Sequence, residues 1–192
     1  MALREILIWP DPRLKAKAKP VDQIDDTIRR LCDDMAETMY DANGVGLAAP
    51  QLGVAVHVIA MDVEQRGPEG ADGTATIQKP SPGLFWLINP ELKLAEGEFT
   101  YTEGCLSIPD EYEDVTRFGH IIVEYTGRDG KRTQREATNN LLAVCVQHEM
   151  DHLQGKLFVD HISALKREII KRRMKKLKVS RAAEAAGQAT AL

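Results

Sequence analysis

The run Gln147-His148-Glu149-Met150-Asp151-His152 places two histidines four residues apart in a segment that reads as helix. Four residues make about one helical turn, so both imidazoles leave the same face and can reach one metal ion. Glu149 projects beside that ion, where a carboxylate takes a proton from water. The chemistry indicated is metal-assisted hydrolysis. A pair of hydrogen-bonded core histidines is the competing reading, because buried ring nitrogens need partners of some kind.

Two histidines do not hold a metal, so the third ligand decides the class. One group of zinc peptidases extends the motif to His-Glu-x-x-His-x-x-Gly-x-x-His. This chain has Gly155 in place but Phe158 where the last His belongs, and His161 comes three positions too late. A thermolysin-like pattern needs a downstream Glu, and the first is Glu168, in a basic segment. Neither peptidase pattern closes. Upstream, Glu103-Gly104-Cys105-Leu106-Ser107 offers a thiol, a strong ligand for a borderline metal once deprotonated, though a lone Cys is more often a small buried hydrophobe. A third segment, Gly44-Val45-Gly46-Leu47-Ala48-Ala49-Pro50-Gln51, is a glycine-rich turn followed by an amide side chain. Alone it is a weak signal.

Together, in this order and spacing, the three segments resemble those of the peptide deformylase family, and the likeness covers most of the chain, from Pro10-Asp11-Pro12 to Gly155-Lys156-Leu157-Phe158. It fades in residues 64–83 and after about residue 178. The resemblance implies removal of the formyl group from the initiator formyl-methionine of nascent polypeptides, with release of formate. It also implies Cys105, His148 and His152 as metal ligands, with the fourth tetrahedral position left to water, as a catalytic site requires. Glu149 would carry the proton to the leaving amine, and the Gln51 amide with the Leu106 backbone N–H would stabilise the oxyanion. Val45, Leu141, Val144 and Cys145 match positions lining the methionine pocket, and backbone near Val45, Gly46 and Gly104 would pair with the peptide as an added strand.

For the metal the resemblance implies Fe2+, with Zn2+, Ni2+ or Co2+ in isolated protein. An anionic thiolate blunts the acidity a metal confers on water, which shifts proton transfer onto Glu149. Two departures stand out. Tyr112 stands where many bacterial members carry an Arg near the substrate channel, and Pro50 replaces a residue that is often Thr. Pro removes a backbone donor there and leaves the Gln51 amide untouched.

The elements that must position these residues can be read from the flanks. Thr138, Asn139 and Asn140 supply caps for the histidine helix, Leu141 to Val146 are apolar nearly all round, and Gly155 marks its end, so this helix should be central and buried. An amphipathic helix is expected over residues 22–40, with Ile24, Ile28, Leu31, Met35 and Met39 on one face and Cys32 in the core. Strands are expected over residues 54–61, 84–89, 98–102, 120–125 and 131–137, with Gly127-Arg128-Asp129-Gly130 as a hairpin turn. Few helical crossovers separate them, so the fold class is α+β: antiparallel sheets around a central metal-binding helix, with an N-terminal and a C-terminal helix. Residues 64–83 read as an extended, exposed inert loop between strands, with a lid as the alternative.

The chain has 192 residues, 43% of them hydrophobic, enough for one catalytic domain over residues 1–178. Three cysteines argue against a disulfide scaffold, no apolar run nears the roughly 20 residues that span a bilayer, and the N-terminus lacks a signal-peptide pattern. No membrane association is expected, and the expected compartment is the cytoplasm. The oligomeric state is not encoded in any recognisable pattern. Residues 166–181 carry nine Lys or Arg against one Glu, a balance of +8 against −4 for the whole chain, so that the rest carries −12. Ile162, Leu165, Ile169 and Leu177 form the stripe expected to dock this helix. The family resemblance implies that it binds the ribosome near the nascent chain. Residues 179–192, rich in Ala, are expected to be a disordered tail.

Overall fold

The computed structural model describes residues 2–64, 66–69, 75–77 and 83–189. Its centre is a five-stranded antiparallel sheet in the order β1-β2-β5-β8-β9, built from Gly46–Ala48, Val58–Met61, Phe85–Glu96, His120–Thr126 and Arg132–Thr138. Strands β6 (Phe99–Cys105) and β7 (Ile108–Arg117) form a separate hairpin. Helices α1 (Asp26–Asp41) and α2 (Leu141–Leu153) cover opposite faces of the sheet. The α+β class and its central histidine helix are as expected.

The two-residue period of β2 shows how the sheet divides the core. Val58 and Ala60 pack with Leu31, Met35 and Met39 of α1, whereas Ile59 and Met61 pack with Ala143, Cys145 and Val146 of α2. All four strand residues are fully buried, so this strand reads as a continuous apolar run. Asn140 caps α2 by accepting the Ala143 N–H at 3.0 Å, and Gly155 follows the helix with φ +70°. Asp25 caps α1 by accepting the Ile28 N–H at 2.9 Å, which starts that helix four residues later than its apolar spacing suggested.

Several expected boundaries shift for physical reasons. Residues 54–57 are not in β2, because Gly53 turns left-handed at φ +75° and the chain makes only a bridge between Lys19 and Val56 before pairing begins. Strand β5 continues seven residues beyond the expected end at residue 89, with register shifts near Asn89 (φ +51°) and Leu92 that bend it along β8. Strand β7 was not anticipated, since its Asp-Glu-Tyr-Glu-Asp stretch has low strand propensity. Two of its acidic side chains, Glu111 and Glu113, are partnered from α3, and Asp114 accepts from Thr102 of β6. Within the expected 64–83 loop, Arg66–Glu69 and Ala75–Ile77 form two short antiparallel strands, β3 and β4; residues 65, 70–74 and 78–82 lie outside the described residues.

Helix α3 (Ala164–Ala189) runs on past residue 178, where a disordered tail was expected. Its docking stripe also differs from expectation. Ile170 and Met174 are buried with Leu177 and Ile162 beside them, in a cluster with Leu7, Trp9, Ile108, Val115 and Phe158. Leu165 and Ile169 are exposed at 73% and 42%. Burial of Ile170 and Met174 sets this rotation, and ion pairs on the same side accompany it: Lys166 reaches Glu113 at 2.5 Å and Arg173 reaches Glu111 at 2.9 Å.

Candidate active site

Helix α2 delivers His148, Glu149 and His152 to one place because residues 148 and 152 are one turn apart, and the end of β6 brings Cys105 to meet them. The imidazole rings stand 5.1 Å apart between centroids, and Cys105 Sγ lies 3.3 Å from Nε2 of His152. One ligand atom from each of Cys105, His148 and His152 falls within 4.8 Å of the others. Tetrahedral coordination by sulfur and nitrogen separates donors by about 3.5 Å, so this spacing fits a single ion with little movement. Phe158, whose identity closed off the extended peptidase motif, is fully buried and stacks on His148 with ring centroids 6.4 Å apart.

His148 is oriented from behind. Its Nδ1 lies 2.8 Å from Oε2 of Glu103, which leaves Nε2 for a metal. Glu103 is held by the guanidinium of Arg117 through Nε and Nη2, and Arg117 Nη1 donates to Asp151 at 2.9 Å. Sequence reading gave these three carboxylate and guanidinium groups no role. Glu103 and Asp151 were visible only as motif letters flanking the ligands, and nothing in its spacing marked Arg117.

Glu149 is buried, and its Oε2 has no hydrogen-bond partner among the described residues; the same holds for Nδ1 of His152. Burial pushes the Glu149 carboxyl up to about 7, against the lowering influence of His148 and Arg117. A group poised there both accepts and returns a proton near neutral pH. Burial holds His152 well below the usual histidine range, in the neutral form a metal needs. His148 titrates well above that range: burial opposes the imidazolium, but hydrogen bonds to Cys105 and Glu103 outweigh it.

Gln51 stands behind Cys105, 1% exposed. Its Oε1 accepts the Ala48 N–H at 2.8 Å, which aims Nε2 at Cys105 Sγ (3.6 Å) and Ser107 Oγ (3.2 Å). Leu106 lies in the turn between β6 and β7, directly after the thiol. In front of these groups opens a cleft of about 1070 Å³ whose walls include Val45, Gly46, Gly104, Leu106, Leu141, Val144, Cys145, His148 and Glu149. Thus the structure brings each candidate ligand, catalytic and substrate-binding residue named from the sequence to this cleft or immediately behind it. The glycines prove to make room for side chains of the chain itself. A β-carbon on Gly44 would stand 2.6 Å from Leu106 Cδ1, and one on Gly104 would stand 2.6 Å from Cε1 of Tyr112, whose 67% exposed ring lies over that glycine.

A thiol and two imidazoles around one point, with a buried carboxyl beside them whose Oε2 has no partner among the described residues, on an α+β scaffold, belong to a metallohydrolase. The model of the polypeptide deformylase family matches residues 3–168, and the chain belongs to that family, whose members remove the N-formyl group from nascent polypeptides. The peptide deformylase of Alkalilimnicola ehrlichii is 51% identical over 177 residues, covering 92% of each chain. That of Cellvibrio japonicus is 50% identical, covering 92% of this chain and 96% of its own. Among solved structures, a peptide deformylase from Legionella pneumophila superposes with a TM-score of 0.82 at 41% identity, covering 94% of this chain and 98% of that one. The Ehrlichia chaffeensis enzyme in complex with actinonin superposes with a TM-score of 0.79 at 34% identity, covering 92% of this chain and 98% of that one.

Proposed function

We propose that residues 1–178 form one catalytic domain in which Cys105, His148 and His152 hold a single divalent ion, iron(II) in the cell, with zinc, nickel or cobalt taking its place in isolated protein. Two imidazoles and a thiolate suit these ions, and relative affinity alone does not select among them. When bound, the ion supplies Lewis acidity and makes water a competent nucleophile near neutral pH.

Glu149 takes the proton of the attacking water and passes it to the amine nitrogen as the formyl C–N bond breaks, giving formate and a free N-terminus. The observation that carries this assignment is its buried, unpartnered Oε2 beside the ligand triad. The Gln51 amide, already aimed at Cys105, and the Leu106 N–H donate to the developing oxyanion. Val45, Leu141, Val144 and Cys145 enclose the methionine side chain, while backbone at Val45, Gly46 and Gly104 pairs with the substrate chain.

Formate release from formyl-Met-Ala-Ser, measured on anaerobically prepared protein with metal content determined alongside, tests this reading. Glu149→Ala should retain the metal and lose about 10²- to 10⁴-fold in kcat. Near-normal turnover in that variant, or peptide-bond cleavage without formate, would overturn the assignment.

The protein acts in the cytoplasm and docks on the ribosome through α3. Among the described residues no helix is long and apolar enough to cross a membrane, and Cys32, Cys105 and Cys145 are all free thiols. The outward face of α3 presents exposed Leu165 and Ile169 among lysines and arginines, a surface suited to nucleic-acid phosphate. Ribosome co-sedimentation should weaken steeply with salt and disappear on deletion of residues 166–192; binding that survives either change would refute the docking.

A further inference from the structure

His161 is too late in the sequence to be a metal ligand, yet the structure connects it to one. Its Nε2 lies 2.7 Å from Asp151 Oδ2, the same oxygen that accepts from Arg117 Nη1 at 2.9 Å. Arg117 Nη2 donates to Glu103 Oε2 at 2.9 Å, and that oxygen also lies 2.8 Å from Nδ1 of His148. The chain of contacts crosses β6, the end of β7, α2 and the segment that leads into α3. Side-chain exposure falls along it from 33% at His161 and 17% at Asp151 to 4% at Arg117 and 2% at Glu103.

We propose that His161 is a positioning residue for the metal centre, holding Asp151 so that Arg117 and Glu103 keep the His148 ring in register with Cys105 and His152. The inference rests on the reading of those three residues as ligands. Two shared oxygens make the transmission specific. Asp151 Oδ2 is fixed between two donors on opposite sides, so loss of His161 leaves the carboxylate anchored from the Arg117 side alone and free to turn towards water. Glu103 Oε2 serves Arg117 and His148 at once, so any displacement of the guanidinium moves the acceptor that sets the imidazole plane. An isolated surface ion pair contributes little, and what distinguishes this one is that its inner end is a buried network with no slack.

The test uses the full-length protein loaded with cobalt(II), whose thiolate absorption reports the ligand geometry. His161→Phe keeps the bulk and removes the donor, while His161→Gln keeps an N–H. Direct outer-shell partners of a ligand typically change metal affinity by about 10- to 100-fold, and His161 acts three links further out, so chelator-driven cobalt release should accelerate by about 3- to 10-fold in His161→Phe. Its visible bands should shift, kcat for formyl-Met-Ala-Ser should fall more than KM changes, and His161→Gln should restore most of each. In an Asp151→Asn background, His161→Phe should have no further effect. Wild-type cobalt release and spectrum in His161→Phe would overturn the proposal, as would additivity with Asp151→Asn or a lowered Tm of the metal-free protein as the sole change. Wild-type protein that holds cobalt but releases no formate would instead sink the functional reading and leave this test intact.

Discussion

Gly46 lies directly against Glu149: a β-carbon on the glycine would stand 2.6 Å from Oε1 of the carboxylate and 3.0 Å from its Cγ. The glycine of β1 therefore shapes the space in which the Glu149 carboxyl, the proposed proton carrier, sits. Gly46→Ala must push Glu149 aside, and the space left to it lies towards the cleft. Displacement of a general base by about 1 Å costs on the order of a hundredfold in rate. The expected result is a fall in kcat of roughly that size with bound metal retained, measured by formate release and metal analysis. A Gly46→Ala enzyme of normal kcat would show that Glu149 has room to spare.

Glu103 links the charge of Arg117 to the orientation of His148, and its two possible substitutions should separate those roles. Glu103→Ala leaves a guanidinium with 4% exposure deprived of its principal partner, and breaking a buried pair in this way costs about 3–5 kcal/mol. The metal-free protein should unfold at markedly lower urea concentration. Glu103→Gln keeps an acceptor for Arg117 but removes the anion facing His148, so stability should suffer less while metal affinity falls by about 10- to 100-fold. Urea midpoints of the metal-free variants and metal competition titrations measure the two effects independently. If the variants lost stability equally and bound metal like the wild type, Glu103 would be a structural residue alone.

These relationships mark the limit of what the sequence could carry. His148 and His152 were legible because a helix converts a spacing of four into a shared face, and Cys105 was legible because the Glu-Gly-Cys-Leu-Ser segment resembles a known pattern. Arg117 was not legible, since its partners lie 14 and 34 residues away, on β6 and α2, and only the tertiary fold brings them together. Strand β7 itself was hidden by its acidic composition, whose compensation comes from Lys166 and Arg173 on α3. The apolar cluster that receives α3 lies on β7 and the N-terminal segment, so a stripe judged on the helix alone selected Leu165 and Ile169 when Ile170 and Met174 are the buried pair. Local periodicity revealed elements and side chains within one turn; contacts made across elements needed the fold.

Stability should fall at both ends of the pH scale for identifiable reasons. Burial raises the Asp151 carboxyl, but hydrogen bonds from His161 and Arg117 outweigh it and hold the group at about 2, below its ordinary 3.8. Asp11 is likewise lowered to about 2, chiefly by its hydrogen bond from Arg13. Depressed carboxylates stabilise the fold above pH 3.8 and lose that contribution as pH falls towards 2. His120 behaves in the opposite sense. Hydrogen bonds to Glu136 and Glu96 raise it above 6.5, so its contribution is complete below 6.5 and is lost as pH rises through the higher folded value. Urea midpoints should therefore drop between pH 4 and pH 2. NMR titration of His120 should give a pKa above 6.5 that returns towards it in Glu136→Gln, and an unshifted wild-type value would remove the alkaline half of the argument.

Gly155 follows the end of the histidine helix α2 with φ +70°, and a β-carbon there would also run into the backbone carbonyl of Lys15. Two penalties then act together in Gly155→Ala. The left-handed conformation costs a non-glycine residue about 1 kcal/mol, and the carbonyl cannot withdraw cheaply because neighbouring Ala18 donates its N–H to Leu153 at 2.9 Å, which ties this N-terminal segment to the end of α2. The total should reach about 1–3 kcal/mol. For a domain of this size each kcal/mol lowers Tm by about 2–4 °C. Relief requires the last turn of α2, which carries Asp151 and His152, to move away from residues 15–18. Gly155→Ala should consequently lower Tm and loosen the metal together, and calorimetry on the metal-loaded and metal-free forms distinguishes the outcomes. A larger Tm loss in the loaded form supports movement of His152, whereas equal losses would confine the damage to the cap.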